Sequence, residues 1–464
     1  MKLSKFWIRA VPALVMVGCS NVVWAARCSE DLANQNLEKY LKSASRNAAP
    51  EKVEVEPQVE PMTQLQAISR EAAKRSASLG AARLLAEAAE FDLTETKAGR
   101  WPTVSVNGTL GAIGNQVGQN DPVRQKQASV SLNVSANLYD GGRLRQLMAY
   151  RNELLGAARY GAAVTQDQVV LEAISAALER SRYKLQAQVY QQYMRKMSCL
   201  VEALEGIVAE DKGRTSELIQ VRKTQAQTEL QRDQALAQSR QSELKLRKLV
   251  GDLNVTGDGF TLPLSVVPEI GEINRQIEFG SDAQQLRTQA DAADAYAQAV
   301  AAGQRPQLNW NVGKTEARQG GTPVSSWQAG VTLSYSLFNG FSDDAAAQAA
   351  LRRAQATRSQ LTDLLNTKYA RTAEVYDIAT SAFDRAKRYV DVLRDSERVR
   401  NFTFQQWSQL GRRSLFDVMS SESDHFNLRI AYVNALHDGY LASAQLRSLG
   451  SGLSAWLTPE AVSR

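Results

Sequence analysis

The stretch SVSLNVSANLYDGGR at residues 129–143 alternates small polar with apolar residues and ends at a glycine-containing turn. A second stretch, GVTLSYSLFNGF at residues 330–341, shows the same alternation and the same kind of turn. Strict alternation over this length is typical of a β-strand with one polar and one apolar face. Long segments without proline follow both stretches and favour helix. The sequence therefore predicts short strands within a mostly helical chain.

The two stretches belong to a longer tandem repeat. AGRWP at 98–102 is matched by AGQRP at 302–306, which is 204 residues further on, and LYDG at 138–141 is matched by LFNG at 337–340, 199 residues further on. Two copies of one structural unit account for this spacing. The change in spacing is assigned to one irregular loop, 115–126 in the first copy and 319–325 in the second.

Each copy is expected to begin with an alanine-rich helix, at 62–98 and at 281–303. Gly99 and Gly303 stand at C-cap positions, and the prolines that follow prevent continuation of each helix. Two strands then follow in each copy. Their apolar positions are Val104, Val106 and Leu110; Val130, Leu132, Val134, Ala136 and Leu138; Leu308, Trp310 and Val312; and Trp327, Ala329, Val331, Leu333, Tyr335 and Leu337.

A very long helix follows the strands in each copy, from Arg143 to Lys212 in the first, with Asp140 and Asn339 as the expected N-caps. Apolar residues recur every seven positions, which is coiled-coil spacing. Both long helices are expected to break near a glycine, after which a further helix returns. The heptad positions are Val164, Leu171, Leu178 and Leu185, then Tyr369, Tyr376, Phe383 and Val390, and the breaks are at Gly213 and Gly411.

The N-terminus has the form of a secretory signal peptide, with three basic residues ahead of an apolar stretch. Cleavage after Ala25 is favoured, and lipidation at Cys19 is the alternative. Removing residues 1–25 lowers the formal charge from +6 to +3, too little to indicate nucleic-acid binding. Cys28 and Cys199 remain; export permits a disulfide between them, and two free thiols are favoured.

The predicted organisation has six parts. They are a signal peptide at 1–25, a partly disordered extension at 26–61, repeat 1 at 62–250, a linker at 251–280, repeat 2 at 281–450 and a C-terminal tail at 451–464.

The four strands have about the length that tilted strands need to cross a bilayer, roughly 9–11 residues. Their apolar faces oppose faces of Ser, Thr, Asn and Gln, and neither face is expected to carry a charge. A lipid-facing side and a water-filled side produce this pattern. Four strands cannot close a barrel, so three copies are expected to form one of twelve strands around a polar lumen, in preference to two copies forming one of eight. The expected lumen residues are Ser131, Asn133, Ser135, Thr332 and Ser334.

Across residues 62–450 the chain resembles the TolC-like outer-membrane efflux proteins. The resemblance is carried by LYDGGR, by LFNGF and above all by QLGRRSLFDVMSSESDHFNLRIAYVNALHDGYLASAQLRSLG at 409–450. It implies a homotrimer with a barrel in the outer membrane of a Gram-negative cell and a helical tunnel across the periplasm. A periplasmic adaptor and an inner-membrane transporter are the implied partners, together with outer-membrane lipid.

The resemblance also implies a gate at the periplasmic ends of the long helices, where an arginine and an aspartate hold the entrance closed. The matching residues here are Arg413 and Asp417, with Arg412 beside them. An alternative is that Gly-Arg-x-Ser merely starts a helix. Ser420 stands where some relatives carry a second acid. The first copy offers Arg214, Thr215, Glu217 and Gln220 as possible partners.

No catalytic, cofactor or metal constellation is visible, so an enzyme is not expected. His425 and His437 stand twelve apart on one predicted helix and favour packing or surface roles. Two export functions share the fold: the exit duct of type I secretion of an adhesin or toxin, and the outer component of a drug or metal efflux pump. KGRTSELIQVRKTQAQTEL at 212–230 resembles secretion members and favours the first. A structural coiled-coil spacer is the remaining alternative.

Overall fold

The structure is a computed structural model that describes residues 60–115, 123–252 and 259–458. The predicted signal peptide, nearly all of the N-terminal extension and Cys28 lie outside the described residues. The predictions about cleavage, lipidation and cysteine pairing therefore stay predictions. Cys199 lies partly buried on a long helix.

Helices make up most of the described chain. Their bounds are α1 (Pro61–Arg75), α2 (Ala77–Ala98), α3 (Arg143–Glu210), α4 (Thr215–Val250), α5 (Ile270–Ile277), α6 (Ser281–Gly303), α7 (Ser342–Ser408), α8 (Leu415–Leu449) and α9 (Leu453–Leu457), with short 3-10 turns at Lys212–Arg214 and Gly259–Ser265. No helix within the described ranges combines the length and the apolar character of a membrane span.

Four strands form one antiparallel sheet in the order β1-β2-β3-β4. Because the strands are long and pair over most of their length, alternate residues share one face across the whole sheet. Their bounds are β1 (Thr103–Asn115), β2 (Val123–Tyr139), β3 (Gln307–Gln319) and β4 (Thr322–Ser334).

The second hairpin is tighter than the sequence indicated. Residues 319–325 were expected to form a loop, but Gln319 pairs with Thr322, and the turn consists of Gly320 and Gly321 alone. Both glycines have positive φ angles, 56° and 94°, which a two-residue hairpin of this kind requires and which glycine adopts without strain. The expectation of an irregular loop here was therefore wrong.

The last strand ends earlier than expected. Alternation continues to Leu337, but β4 stops at Ser334, which pairs with Gln307 at the start of β3. Pro306 and the end of α6 precede Gln307, so no strand is available to pair with residues beyond Ser334. The third strand is longer than expected. Its predicted apolar positions end at Val312, whereas β3 continues to Gln319.

The first predicted helix is two helices. A break at Ser76 separates α1 from α2: its backbone is extended, and its hydroxyl accepts a hydrogen bond from the Leu79 N–H at 3.1 Å, as an N-cap does. Gly99 is the C-cap of α2, as predicted, with a φ of −59°. Gly303 is instead the last residue of α6, and Gln304 is its C-cap.

The two long helices are confirmed in place and extent. α3 has 68 residues and α7 has 67, so each is about 100 Å long at about 1.5 Å per residue. Each ends close to the predicted glycine. Gly213 lies in a 3-10 turn, and Gly411 has a φ of 60°. A shorter helix, α4 or α8, then returns alongside.

Asp140 and Asn339 form hydrogen bonds at the starts of the long helices, but the N-cap positions for which they were predicted are occupied by other residues. The carboxylate of Asp140 accepts hydrogen bonds from the Gly142 N–H at 2.9 Å and the Leu144 N–H at 2.6 Å. The residue in the N-cap position is Gly142, with a φ of 89°. In the second copy the N-cap is Phe341, with a φ of 65°, while Asn339 donates to the Asp343 carboxylate.

The core runs along the helices instead of forming one compact centre. α3 packs against α4, α6 and α8, and α7 packs against α6 and α8. The predicted C-terminal tail joins this core, because Leu453 and Leu457 of α9 are fully buried and the Ser454 N–H donates to Asp167 at 3.0 Å. The order helix, hairpin, long helix, returning helix occurs twice in the described chain. The repeat and the domain limits derived from it stay predictions.

Candidate functional site: the sheet faces and the helix ends

One face of the sheet is polar and uncharged. Register places Ser105, Asn133 and Gln328 in one row across the sheet, and Thr103, Ser135 and Asn311 in the next. Among the described side chains this face carries Ser, Thr, Asn, Gln, Gly, Ala and Val, with no charge. All five residues predicted to line a lumen share it: Ser131, Asn133, Ser135, Thr332 and Ser334.

The other face is apolar and exposed in the single chain. Leu110 is 88% exposed and Trp327 is 78% exposed, although both are large apolar side chains. Val106, Leu132 and Val331 lie on the same face and are also exposed. An apolar surface of this extent normally lies against another surface or against lipid.

The apolar face is not free of charge along its whole length, contrary to expectation. Beyond Val312 the positions of β3 on this face are Lys314, Glu316 and Arg318. Lys314 pairs with Glu316 at 3.2 Å, and the Ser325 hydroxyl donates to Glu316 at 2.7 Å. Lys314 lies in one row with Leu132 and Trp327, and Arg318 lies in one row with Leu110, so the hairpin half of this face carries charged and apolar side chains together.

The sheet has two open edges. β1 pairs only with β2, and β4 pairs only with β3, within the part of the chain that the structure describes. The outer N–H and C=O groups of both edge strands have no ladder partner among the described residues of the protomer. Such edges are ready to pair with further strands.

The predicted gate residues lie at those ends of the long helices that are far from the sheet. Asp417 closes a capping box: its carboxylate accepts from the Ser414 N–H at 3.0 Å and the Ser414 hydroxyl at 2.9 Å, while its own N–H donates to Ser414. These hydrogen bonds, backbone first, and the nearby charge of Arg413 hold the pKa of Asp417 below its ordinary value. Within the protomer Ser414 is the N-cap of α8, as the alternative interpretation expected of this segment, and Asp417 completes the capping box.

The predicted basic gate residues also form their hydrogen bonds and ion pairs with nearby residues of the same chain segment. The Arg413 guanidinium donates to the Gln406 side chain at 3.2 Å, and the Arg412 N–H donates to the Gln406 carbonyl at 3.1 Å. In the first copy Arg214 pairs with Glu217 one turn later, at 3.1 Å. One apolar cluster lies beneath both helix ends, formed by Leu200, Leu204, Leu218, Val221, Leu415, Val418 and Met419 with their neighbours.

A buried group of charges next to this cluster was missed by the sequence analysis. Glu422 of α8 is fully buried and lies 3.6 Å from Lys196 of α3 and 3.6 Å from Arg400 of α7. Lys196 also lies 4.9 Å from the centre of the Phe404 ring. The ion pairs connect three helices, about two turns from the ends of α7 and α8 and about four turns from the end of α3. The available signal was an acid at a position of α8 that is flanked by buried apolar neighbours.

The two histidines are both buried on α8, so of the two roles expected for them, packing or surface, the structure shows packing. His437 contacts the Val433 carbonyl at 2.9 Å and the Ser181 hydroxyl at 3.4 Å. His425 is 7% exposed, and burial, followed by the charges of Arg400 and Arg429, lowers its pKa to about 4. No group of three potential metal ligands occurs among the described residues.

No family model matches the chain, and no curated protein matches its sequence. Solved structures match its fold. CusC, studied for its folding and transmembrane channel formation, has a TM-score of 0.75 at 17% identity, covering 87% of this chain and 97% of that chain. The outer membrane protein VceC of Vibrio cholerae has a TM-score of 0.72 at 18% identity, covering 84% and 97%. The Campylobacter jejuni CmeC outer membrane channel has a TM-score of 0.72 at 12% identity, covering 90% and 93%.

The protomer therefore has the fold of these outer-membrane channel proteins: a four-stranded antiparallel sheet continued by long paired helices. The predicted TolC-like fold is confirmed. At these identities the likeness concerns the fold alone.

Proposed function

We propose that this chain is one subunit of an outer-membrane exit duct. Three copies join their sheets edge to edge into a barrel of twelve strands, with the apolar faces towards lipid and the uncharged polar faces around a lumen. The long helices extend from the barrel into the periplasm. The observation that carries the proposal is the sheet itself, because nothing in the described part of the protomer pairs with its two open edges or covers its exposed apolar face.

The outer-membrane channels that share this fold support the location and the transport role. An inner-membrane transporter and a periplasmic adaptor would then dock at the helix ends, where α3 and α7 stop about 100 Å from the sheet. Arg413 is exposed and Asp417 is half-buried at this end, so they remain our proposed gate residues, and Arg412, Arg214 and Glu217 are the further members of the proposed gate. In the assembled trimer they would meet counterparts from the other copies.

Fractionation tests this function directly. The mature protein should partition with outer membranes and run as a trimer in mild detergent. A stable monomer in buffer without detergent would support the structural spacer instead, because its apolar sheet face would then have to be covered by the chain itself.

For the cargo we propose a polypeptide exported by type I secretion, which the resemblance of residues 212–230 to secretion-associated members supports. Drug or metal efflux is the second candidate, because the same fold suits both. Deleting the gene separates them. Loss of one large polypeptide from the culture medium, with unchanged drug and metal tolerance, is expected for secretion. Hypersensitivity with an unchanged set of secreted proteins would assign the duct to efflux.

A further inference from the structure

A cavity of about 400 Å³ lies between α3, α7 and α8, close to the buried charges described above. Gln192 of α3 lies on one side. α7 contributes Arg394 and Arg400, and α8 contributes His425 and Arg429. Three guanidinium groups from two helices therefore surround one opening, which none of the predicted gate or lumen residues lines.

The charge of the cavity wall is positive. Its lining includes three arginines and one acid, Glu397. Arg400 is 6% exposed and lies 3.8 Å from Glu397 and 3.6 Å from Glu422. Arg394 donates one hydrogen bond, at 3.3 Å, to Asp391, which is not among the lining residues. Lys196 and Glu422 form an ion pair beside the cavity and do not line it, so the lining itself has three basic groups and one acidic group.

His425 provides an independent sign of this positive field. Its ring is almost fully buried in the wall, and its Nδ1 has no hydrogen-bond partner among the described residues. Besides burial, the charges of Arg400 and Arg429 lower its pKa to about 4. The imidazole is therefore neutral at physiological pH and contributes no cation of its own, so the arginines set the charge of the site.

The rest of the wall is apolar or aromatic. Leu393, Val390, Phe426 and Tyr432 line it, and the Arg429 guanidinium lies 5.5 Å from the centre of the Phe426 ring. An arginine near an aromatic ring has its hydrophobic stem covered while its fork of N–H donors remains directed outward. Apolar walls with a few convergent charged groups are the usual construction of small-molecule sites.

We propose that this cavity binds an organic anion, with a carboxylate or phosphate group held by Arg394 and Arg429 and an apolar body against Phe426 and Leu393. Arginine forks bind both kinds of oxyanion through paired, charge-assisted hydrogen bonds. Arg400, behind them, adds its charge without direct exposure to solvent. The inference concerns the protomer's helices and does not depend on which cargo the duct exports.

Fluorine NMR of the detergent-solubilised protein tests the proposal, with para-trifluoromethylbenzoate as the probe and para-trifluoromethylbenzyl alcohol as its neutral counterpart. The benzoate signal should broaden and saturate with added protein, and the alcohol signal should not. The double variant Arg394→Gln/Arg429→Gln should raise the Kd by about tenfold or more, because two charge-assisted contacts are lost. Phenyl phosphate should compete, and the stronger competitor identifies the preferred anion group.

Arg388→Gln is the matched control, since Arg388 is an exposed arginine on the same helix and is not among the residues of the cavity wall. It should leave the Kd unchanged. Helical circular dichroism of all variants should equal that of the parent, because Arg394 is exposed and Arg429 only half-buried. Absence of benzoate binding, equal binding of the alcohol, or a Kd that the double variant leaves unchanged would each overturn the proposal.

Discussion

Substituting Glu422 by glutamine should destabilise the helical part of the protein more than any change at a surface charge. Glu422 is fully buried between Lys196 and Arg400, whose side chains are 17% and 7% exposed. The substitution removes the negative charge and leaves both cations in a largely dehydrated place. The positive charges of Lys196 and Arg400 then lack the Glu422 carboxylate as a counter-charge, and both groups have little access to water.

The two distances allow a rough magnitude. At an effective dielectric constant of about 20, unit charges 3.6 Å apart attract each other by about 5 kcal/mol, and Glu422 makes two such pairs. Much of this gross attraction is offset, because the parent must dehydrate the Glu422 carboxylate and the variant need not. The net loss expected when one partner of a buried ion pair is removed is about 3–5 kcal/mol.

The assay is guanidinium unfolding followed by helical circular dichroism, with Glu397→Gln as the matched control. Glu397 also pairs with Arg400, at 3.8 Å, but its side chain is 50% exposed, so its loss should cost at most about 1 kcal/mol. Replacing Lys196, Arg400 and Glu422 together by methionine should restore most of the stability, because no charge is then left buried. If Glu422→Gln unfolds at the same denaturant concentration as Glu397→Gln, the reasoning about the buried charges is wrong.

The other predictions concern the sheet and the helix ends. Val331→Arg places a charge towards lipid in the uncharged row that contains Trp310 and should cost about 2–4 kcal/mol near the midplane, whereas Thr332→Arg faces the lumen and should assemble normally; equal assembly yields in outer-membrane extracts would refute the assignment of the faces. Arg413→Ser combined with Asp417→Ala should raise the conductance in planar bilayers, with Arg214→Ser as the control, and parental conductance in a well-assembled double variant would place the gate elsewhere. Because hydrogen bonds hold the pKa of Asp417 below its ordinary 3.8, its stabilising contribution is complete above that value and is lost as the pH falls through the folded-state pKa. Unfolding midpoints of the parent and of Asp417→Asn should therefore differ at neutral pH and converge in acid, and a constant difference would show that the capping box is not the cause.

Periodicity in the sequence was enough to predict the long helices and the strands. Heptad spacing with no intervening proline predicts α3 to within two residues of its observed end at Glu210. The alternation in residues 129–138 identifies which side chains share a face, because the period of a strand is two whatever its surroundings. Both features are determined by local sequence patterns and do not depend on contacts between segments that are distant in sequence.

Features that depend on partners distant in sequence were not predictable in the same way. The end of β4 at Ser334 is set by where β3 begins, and the apolar run to Leu337 contains no sign of it. The position of Glu422 among the apolar residues of α8 indicates burial, but only the packing of α3 and α7 brings the two cations to it. Ser76 is a different case, since a serine three residues before a leucine-rich segment is a recognisable N-cap signal and the break could have been predicted.

Cysteine cross-linking between β1 and β4 tests the central claim most directly. The two edge strands of one sheet are separated by three strand spacings, about 14 Å, whereas a disulfide needs Cα atoms roughly 4.4–6.8 Å apart. An intrachain bond is therefore excluded, and only edge-to-edge joining of neighbouring copies can bring β1 to β4. Asn107 of β1 lies on the polar face and would carry the fixed cysteine, in a chain with Cys28 and Cys199 replaced by serine. The second cysteine would be scanned along the same face of β4, at Ser326, Gln328, Gly330 and Thr332.

The account predicts a sharp maximum of oxidation at one or two neighbouring scan positions, as a fixed strand register requires. At that maximum the fully linked product should contain three chains joined in a ring. Equal yields at every position, a product that ends at two chains, or no cross-linking in outer membranes would contradict the claim that three copies of this sheet close one barrel.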